Sequence, residues 1–279
     1  MRRAVICLLA GCFTKPEPFT PPDAAPLVNC SGVPFPDNPS TFGEFLGTNP
    51  ADPSLTADGL EMYFTIDPDP TADPRTYRYD IVRWTRTDPM GVFMRDTTPL
   101  DFNAADTPDA DPSLTADGSM IFFISQRSGG ERGYFATRSS GTWGAGQSIP
   151  GLETMDMHSI DISFDGLALY FFDTSSPARL MRATRPSRLD AFESPTIVGG
   201  DLGTNLGFHT VSADQLEMFY LNTTGTNHAA RATVDALFEP APPTFASIAI
   251  DPDLSADGET LVVAIANTLG MLHRDCPAP

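Results

Sequence analysis

Polar turns and short apolar runs alternate along this chain at regular intervals, and the runs are copies of one another. Residues 52–66 read DPSLTADGLEMYFTI and residues 111–125 read DPSLTADGSMIFFIS, with fainter copies beginning at Ser159, Phe208 and Asp251. Aligning the copies on the glycine of ADG places Gly59, Gly118, Gly166, Gln215 and Gly258 in register, at spacings that suit a four-stranded repeat unit. Four residues earlier stand Leu55, Leu114, Ile162, Val211 and Leu254, which predict a short first strand. Asp58, Asp117, Asp165, Asp214 and Asp257 mark the turn that follows.

After the turn come consecutive apolar residues, as in Met62-Tyr63-Phe64 and Ile121-Phe122-Phe123. Neighbouring residues of a strand point to opposite faces, so this second strand is expected to be buried on both. A third strand is expected at 81–86 (IVRWTR), 133–138 (GYFATR), 180–185 (LMRATR), 230–234 (ARATV) and 271–274 (MLHR). A fourth is led by Phe93, Trp143, Phe192 and Phe238, and the fifth copy ends before reaching one. Thr41-Phe42-Gly43 matches Thr142-Trp143-Gly144, so the N-terminal segment is expected to complete the last sheet.

No segment shows sustained helical periodicity, and 22 Gly, 27 Pro and a strong excess of Asp over Glu belong to a turn-rich, all-β chain. Copied four-stranded units stacked face to face predict a five-bladed β-propeller of antiparallel blades, closed by the N-terminal strand, with domain bounds at 41–279. The motif D-P-S-L-T-A-D-G followed by an apolar-aromatic run resembles the WD40-like (PD40) repeat of TolB-type β-propellers, over residues 52–274. That resemblance implies a propeller, usually of six blades. The repeat count here favours five, with six as the alternative.

The 17 Lys+Arg against 36 Asp+Glu give a formal net charge of -19. A surface of that sign lacks the basic footprint that phosphate binding needs, so nucleic acid is not an expected partner. Residues 1–11 combine Arg2 and Arg3 with a short apolar stretch too short to span a bilayer, as an export signal does. Leu9-Ala10-Gly11-Cys12 resembles the bacterial lipobox, which implies cleavage before Cys12 and lipidation of that residue. Phe13 after it implies, by the same resemblance, sorting to the outer membrane. Residues 12–40 are proline-rich and read as a tether from a lipid anchor to the domain.

Export removes Cys7 with the signal and lipidation occupies Cys12, leaving Cys30 and Cys276. Two thiols in an oxidising compartment are expected to pair, closing a loop of about 245 residues at the seam of the ring; unpaired cysteines near mobile ends are the alternative.

Candidate chemistry gathers at the start of the first strands. Asp52, Asp111 and Asp251 stand at equivalent positions, Ser159 and Phe208 replace them in the other two copies, and His158 and His209 flank the replacements. Carboxylates around a narrow channel would suit a hard ion such as Ca²⁺; no other cofactor is expected. The competing reading is that these aspartates serve the backbone of every blade. A hydrolase would need two carboxyl groups at a set separation, for which Asp111 or Asp251 with Glu153 or Asp156 are the candidates. The expectation is a monomeric, lipid-anchored binding platform for an envelope protein or glycan, with a glycoside hydrolase-like enzyme as the alternative.

Overall fold

The computed structural model describes residues 30, 33–36, 39–42, 49–67, 79–89, 91–242, 250–265 and 268–277. Among them there is no helix. The chain opens with β1 (Ser40–Phe42). The first blade follows as β2 (Ala51–Leu55), β3 (Glu61–Ile66), β4 (Asp80–Thr85) and β5 (Met94–Asp96). The second comprises β6 (Asp109–Leu114), β7 (Met120–Ser125) and β8 (Arg132–Ser139), with its outer edge split into β9 (Thr142–Trp143) and β10 (Gln147–Ser148). The third is β11 (Met157–Ile162), β12 (Ala168–Asp173), β13 (Leu180–Thr184) and β14 (Thr196–Ile197). The fourth is β15 (Gly207–Val211), β16 (Glu217–Asn222), β17 (Gly225–Ala230) and β18 (Glu239–Pro240). The last is β19 (Ile250–Leu254), β20 (Thr260–Ile265) and β21 (Thr268–His273), and β1 pairs antiparallel with β21 through Ser40↔Met271 and Phe42↔Leu269.

These are five antiparallel blades of a five-bladed β-propeller, sealed by strands from both ends of the chain. The innermost strands β2, β6, β11, β15 and β19 touch in cyclic order around a central channel. Each second strand is sandwiched: Met62 and Phe64 pack with Val262 and Ala264 of the last blade, whereas Tyr63 between them packs with Ile121 and Phe123 of the second. All of these side chains are fully buried, so the double-sided apolar run in the sequence is the inter-blade core.

The recurring turn is a local device. In all five copies a hydroxyl (Thr56, Thr115, Ser163, Ser212, Ser255) donates to the carboxylate of the turn aspartate at 2.5–2.7 Å. That carboxylate also accepts the backbone N–H two residues on, as from Leu60 to Asp58 at 3.0 Å. The next position has positive φ in every copy, +68° at Gly59 and +61° at Gln215, which is why glycine is favoured there.

In four of the five blades an arginine just past the third strand holds the blade together, whereas Arg138 of the second blade reaches Glu61 of the first instead. Arg86, Arg185, Arg231 and Arg274 donate Nε–H to the carbonyl of Gly59, Gly166, Gln215 and Gly258, at 2.6–2.8 Å. Their guanidinium groups stack over Phe93, Phe192, Phe238 and Phe35, 4.1–4.5 Å from the ring centroids.

Two sequence expectations shift. In the fourth blade the third strand is Gly225–Ala230 rather than 230–234, because Arg231 takes the post-strand arginine position. In the last blade the aromatic under the arginine is Phe35, where the Thr-Phe-Gly match predicts a later residue. Cys30 and Cys276 form a disulfide at the same seam, with Cα atoms 5.1 Å apart. Cys12 and residues 1–11 lie outside the described residues, as does most of 12–40.

Candidate functional site at the channel mouth

Each innermost strand begins with a β-bulge, and the bulge residue lies in the left-handed region: φ is +49° at Asp52, +53° at Asp111, +50° at Ser159, +31° at Phe208 and +54° at Asp251. Asp tolerates that conformation because its short polar side chain bonds to nearby backbone; Phe does not share that tolerance. The five residues therefore occupy one backbone position, repeated around the channel. Together they border a small recess that opens to solvent, with Asp161, His209 and Asp253 also in its wall.

The carboxyl groups of neighbouring blades influence one another across the mouth. The backbone N–H groups of Asp52, Asp111 and Ser159 favour the charged forms of Asp251, Asp52 and Asp111 respectively, against the burial of each. The Asp111 N–H itself donates to Thr65 Oγ1, at 3.2 Å. Burial drives all three pKa values up: Asp52 and Asp251 rise well above the usual carboxylate range, and Asp111 rises to about 7. Mutual repulsion adds to this, from Asp111 on Asp52, from Asp52 on Asp251 and from Asp251 on Asp111. One oxygen of Asp52 and one of Asp251, Oδ1 in each, is buried without a hydrogen-bond partner.

A second tier lies two residues further along each strand. Asp253 Oδ2 accepts the Leu55 N–H at 2.8 Å, Asp161 Oδ2 accepts the Val211 N–H at 2.7 Å, Ser113 Oγ accepts the Ile162 N–H at 2.9 Å, and Thr210 Oγ1 accepts the Leu254 N–H at 3.1 Å. Asp161 also accepts from Ser113 Oγ at 2.9 Å, and burial raises its pKa to about 7. Asp161 and Asp253 carry structural weight that the repeat alignment hides, since hydroxyl residues occupy the same slot in other blades.

The residues that break the repeat adjoin one another. His158 stands on the rim with Nδ1 3.7 Å from Glu131 Oε2 and its ring 5.8 Å from that of Phe208. The Glu131 carboxylate beside it raises the His158 pKa, with Asp52 and Asp251 adding to the rise. His209 points away from the rim: its Nδ1 lies 3.0 Å from Ser159 Oγ, and its ring packs edge-on against Phe172 with centroids 4.9 Å apart. Burial lowers its pKa to about 3, so the imidazole is neutral. The structure thus brings Asp52, Asp111, Asp251 and His158 together and leaves His209 as a packing residue between blades. Glu131, in the loop between the second and third strands of its blade, is the rim group that sequence reasoning missed. Its only sequence signal is that the residue lies on the same side of the ring as the bulges.

Among the described residues no three carboxylate or imidazole groups converge closely enough to hold a bare metal ion. The hydrolase pairing is also revised: Glu153 is exposed and Asp156 is ion-paired with Arg132 at 3.1 Å. The carboxylate whose environment complements Asp111 is Glu131, which raises the Asp111 pKa and is itself held down by His158.

The same ring of blades recurs in solved structures. TolB from Acinetobacter baumannii superposes with a TM-score of 0.50 at 15% identity, covering 82% of this chain and 55% of that one. The fold is that of a TolB-like β-propeller. This chain spans only about half the length of that TolB. A family 117 glycoside hydrolase from the marine bacterium Zobellia galactanivorans matches with a TM-score of 0.60 at 10% identity, covering 87% of this chain and 90% of that one. An α-L-arabinofuranosidase from Podospora anserina matches with a TM-score of 0.53 at 13% identity, covering 88% and 98%. At these identities the likeness establishes the fold alone. No protein-family model and no curated protein sequence matches the chain.

Proposed function

We propose that this TolB-like propeller is an exported protein, anchored through a lipidated Cys12, that serves as a binding platform for a protein or glycan of the bacterial cell envelope. The observation that carries this reading is the engagement of the channel carboxyls. Asp253 and Asp161 accept the backbone N–H groups of Leu55 and Val211 from other blades, so they brace a rigid ring rather than stand free for chemistry. What varies from blade to blade, His158, Phe208 and Glu131, is grouped on the rim, where a partner would meet it. Two experiments test the reading. Cys12→Ala should release the protein from the membrane fraction. Binding of the exported domain to envelope extracts and to a glycan array should give a saturable partner that is lost on Phe208→Ala and His158→Ala. Retention of the Cys12→Ala protein on membranes removes the anchor, and the lack of any saturable partner removes the platform.

One observation favours a second reading, a glycoside hydrolase-like enzyme. Asp111 and Glu131 are neighbouring carboxyls whose environments push their pKa values apart, as a general acid and its ionised counterpart require. Hydrolysis of aryl glycosides that Asp111→Asn and Glu131→Gln both abolish would establish it.

A further inference from the structure

Three carboxyl groups meet at the channel mouth with too little positive charge to balance them. The groups facing this point are Asp52 from β2, Asp111 from β6 and Asp251 from β19. His158 from β11 faces them on the rim, beside Glu131. His158 is drawn to Glu131, and His209 from β15 is neutral and turned toward Ser159. Also in the wall stand Asp161 and Asp253, each bonded to a backbone N–H. Among the described residues no lysine or arginine lines the recess.

Within this cluster three buried atoms have no hydrogen-bond partner. Asp251, which is 2% exposed, and Asp52 both line the recess with an Oδ1 that lacks a donor, and Nε2 of the neutral His209 in the wall is unpartnered as well. A buried acceptor without a donor costs free energy that an occupant with N–H groups would recover. The occupant should be small, cationic and rich in donors. A bare metal ion does not fit, because the carboxyl groups are not gathered to coordination distance. A primary ammonium does: it is about the size of a water molecule, carries three donors, and can bridge acceptors too far apart to share one metal.

We propose that the channel mouth binds a primary ammonium group, held by Asp52, Asp111 and Asp251, with the attached chain leaving past the rings of Phe208 and His158. The inference rests on the platform reading and specifies what its partner presents: a lysine side chain or a free amine. Binding displaces protons from the carboxyl cluster to solvent, so it strengthens as the pH rises.

The test uses the exported domain with its disulfide intact. Methylammonium, N-acetyl-lysine-N-methylamide and a short lysine peptide are titrated while the NMR signals of His158 and Phe208 are followed, with tetramethylammonium as the cation lacking N–H. Saturable shifts are expected with the first three and none with the last, with affinity rising about tenfold from pH 6 to pH 8 through proton release. Asp251→Asn should weaken binding at least about tenfold, the loss expected for one charge-assisted hydrogen bond. The comparison with tetramethylammonium and the pH series need no variant, so they decide the matter even where Asp251→Asn fails to fold. Tighter binding of the peptide than of methylammonium assigns the ammonium to a protein partner, and equal binding assigns it to a free amine. No saturable shift, equal response to tetramethylammonium, or affinity independent of pH overturns the proposal. If ammonium binding is absent while a partner is still captured, this inference fails alone; ammonium binding with no protein or glycan partner sinks the platform instead.

Discussion

The guanidinium of Arg274 lies 4.4 Å from the ring centroid of Phe35 and donates through Nη2 to Glu217 Oε2 at 2.7 Å. One side chain near the C-terminus thus clamps a residue from the other end of the chain and a carboxylate of the fourth blade. Arg274→Ala leaves Glu217 buried with only His228 beside it, at 3.0 Å. The expected loss is about 3–5 kcal/mol, as for breaking one partner of a buried ion pair. Urea unfolding of the variant measures it, and a loss below about 1 kcal/mol would show that the clamp is not needed.

Phe35→Ala acts on the same seam through packing. Phe35 is 3% exposed and meets Phe219 edge-on, with centroids 5.8 Å apart. Truncation should cost about 3–5 kcal/mol. Urea unfolding measures the loss, and a loss below about 1 kcal/mol would show that the stack under Arg274 is not needed.

Reduction of the Cys30–Cys276 disulfide should lower stability by up to about 5 kcal/mol, since the bond closes most of the chain into one loop in the unfolded state. Denaturant midpoints with and without reductant give the value, and a Cys30→Ser, Cys276→Ser double variant insensitive to reductant confirms the source.

The pH dependence should be acid-shifted. Asp161 and Asp111 have folded pKa values near 7, pushed up first by burial, so both favour the protonated form. Their contribution is fully present below the unfolded value near 4 and is lost as the pH rises through about 7. Asp96 and Glu217 act in the opposite sense. Asp96 is held at about 2, first by the Thr98 N–H. Burial pushes Glu217 up, but His228 and Arg274 hold it below its usual value. Stability from those two is present above about pH 4 and is lost on acidification. The maximum is therefore expected at about pH 5. Asp161→Asn should flatten the decline between pH 5 and pH 8 in a series of urea midpoints.

Phe208 occupies the bulge position that Asp takes in three blades, at φ +31°. Phe208→Asn should relieve about 1 kcal/mol of backbone strain, because Asn tolerates the left-handed region. A thermal midpoint unchanged or lowered would mean that the contact with His158 outweighs the strain.

The sequence made the strands and turns legible because their causes are local. The hydroxyl and carboxylate of each ADG turn lie two residues apart, and the double-sided apolar run announces a strand buried on both faces. Closure by the N-terminal strand was also readable, from the missing fourth strand of the last copy. Asp253 was not, because its partner is the Leu55 N–H, 198 positions away. Phe35 escaped for a related reason: a short motif match fixed attention on Phe42, and only the stacking of Arg274 identifies the residue in the slot. In the channel wall the aspartates are visible in the sequence, but the donors that make Asp161 and Asp253 structural are backbone N–H groups of another blade, which no spacing reveals.

Pairing of β1 with β21 also has a consequence for how the molecule is made. β1 precedes every other described strand in the chain, yet it is the last to find its neighbour. Four blades can assemble as they emerge, while β1 waits for residues at the far end of the chain. During that interval the nascent protein carries two open sheet edges, each a template for intermolecular pairing. Synthesis of this ring is therefore a race between its own closing strand and the strands of neighbouring copies.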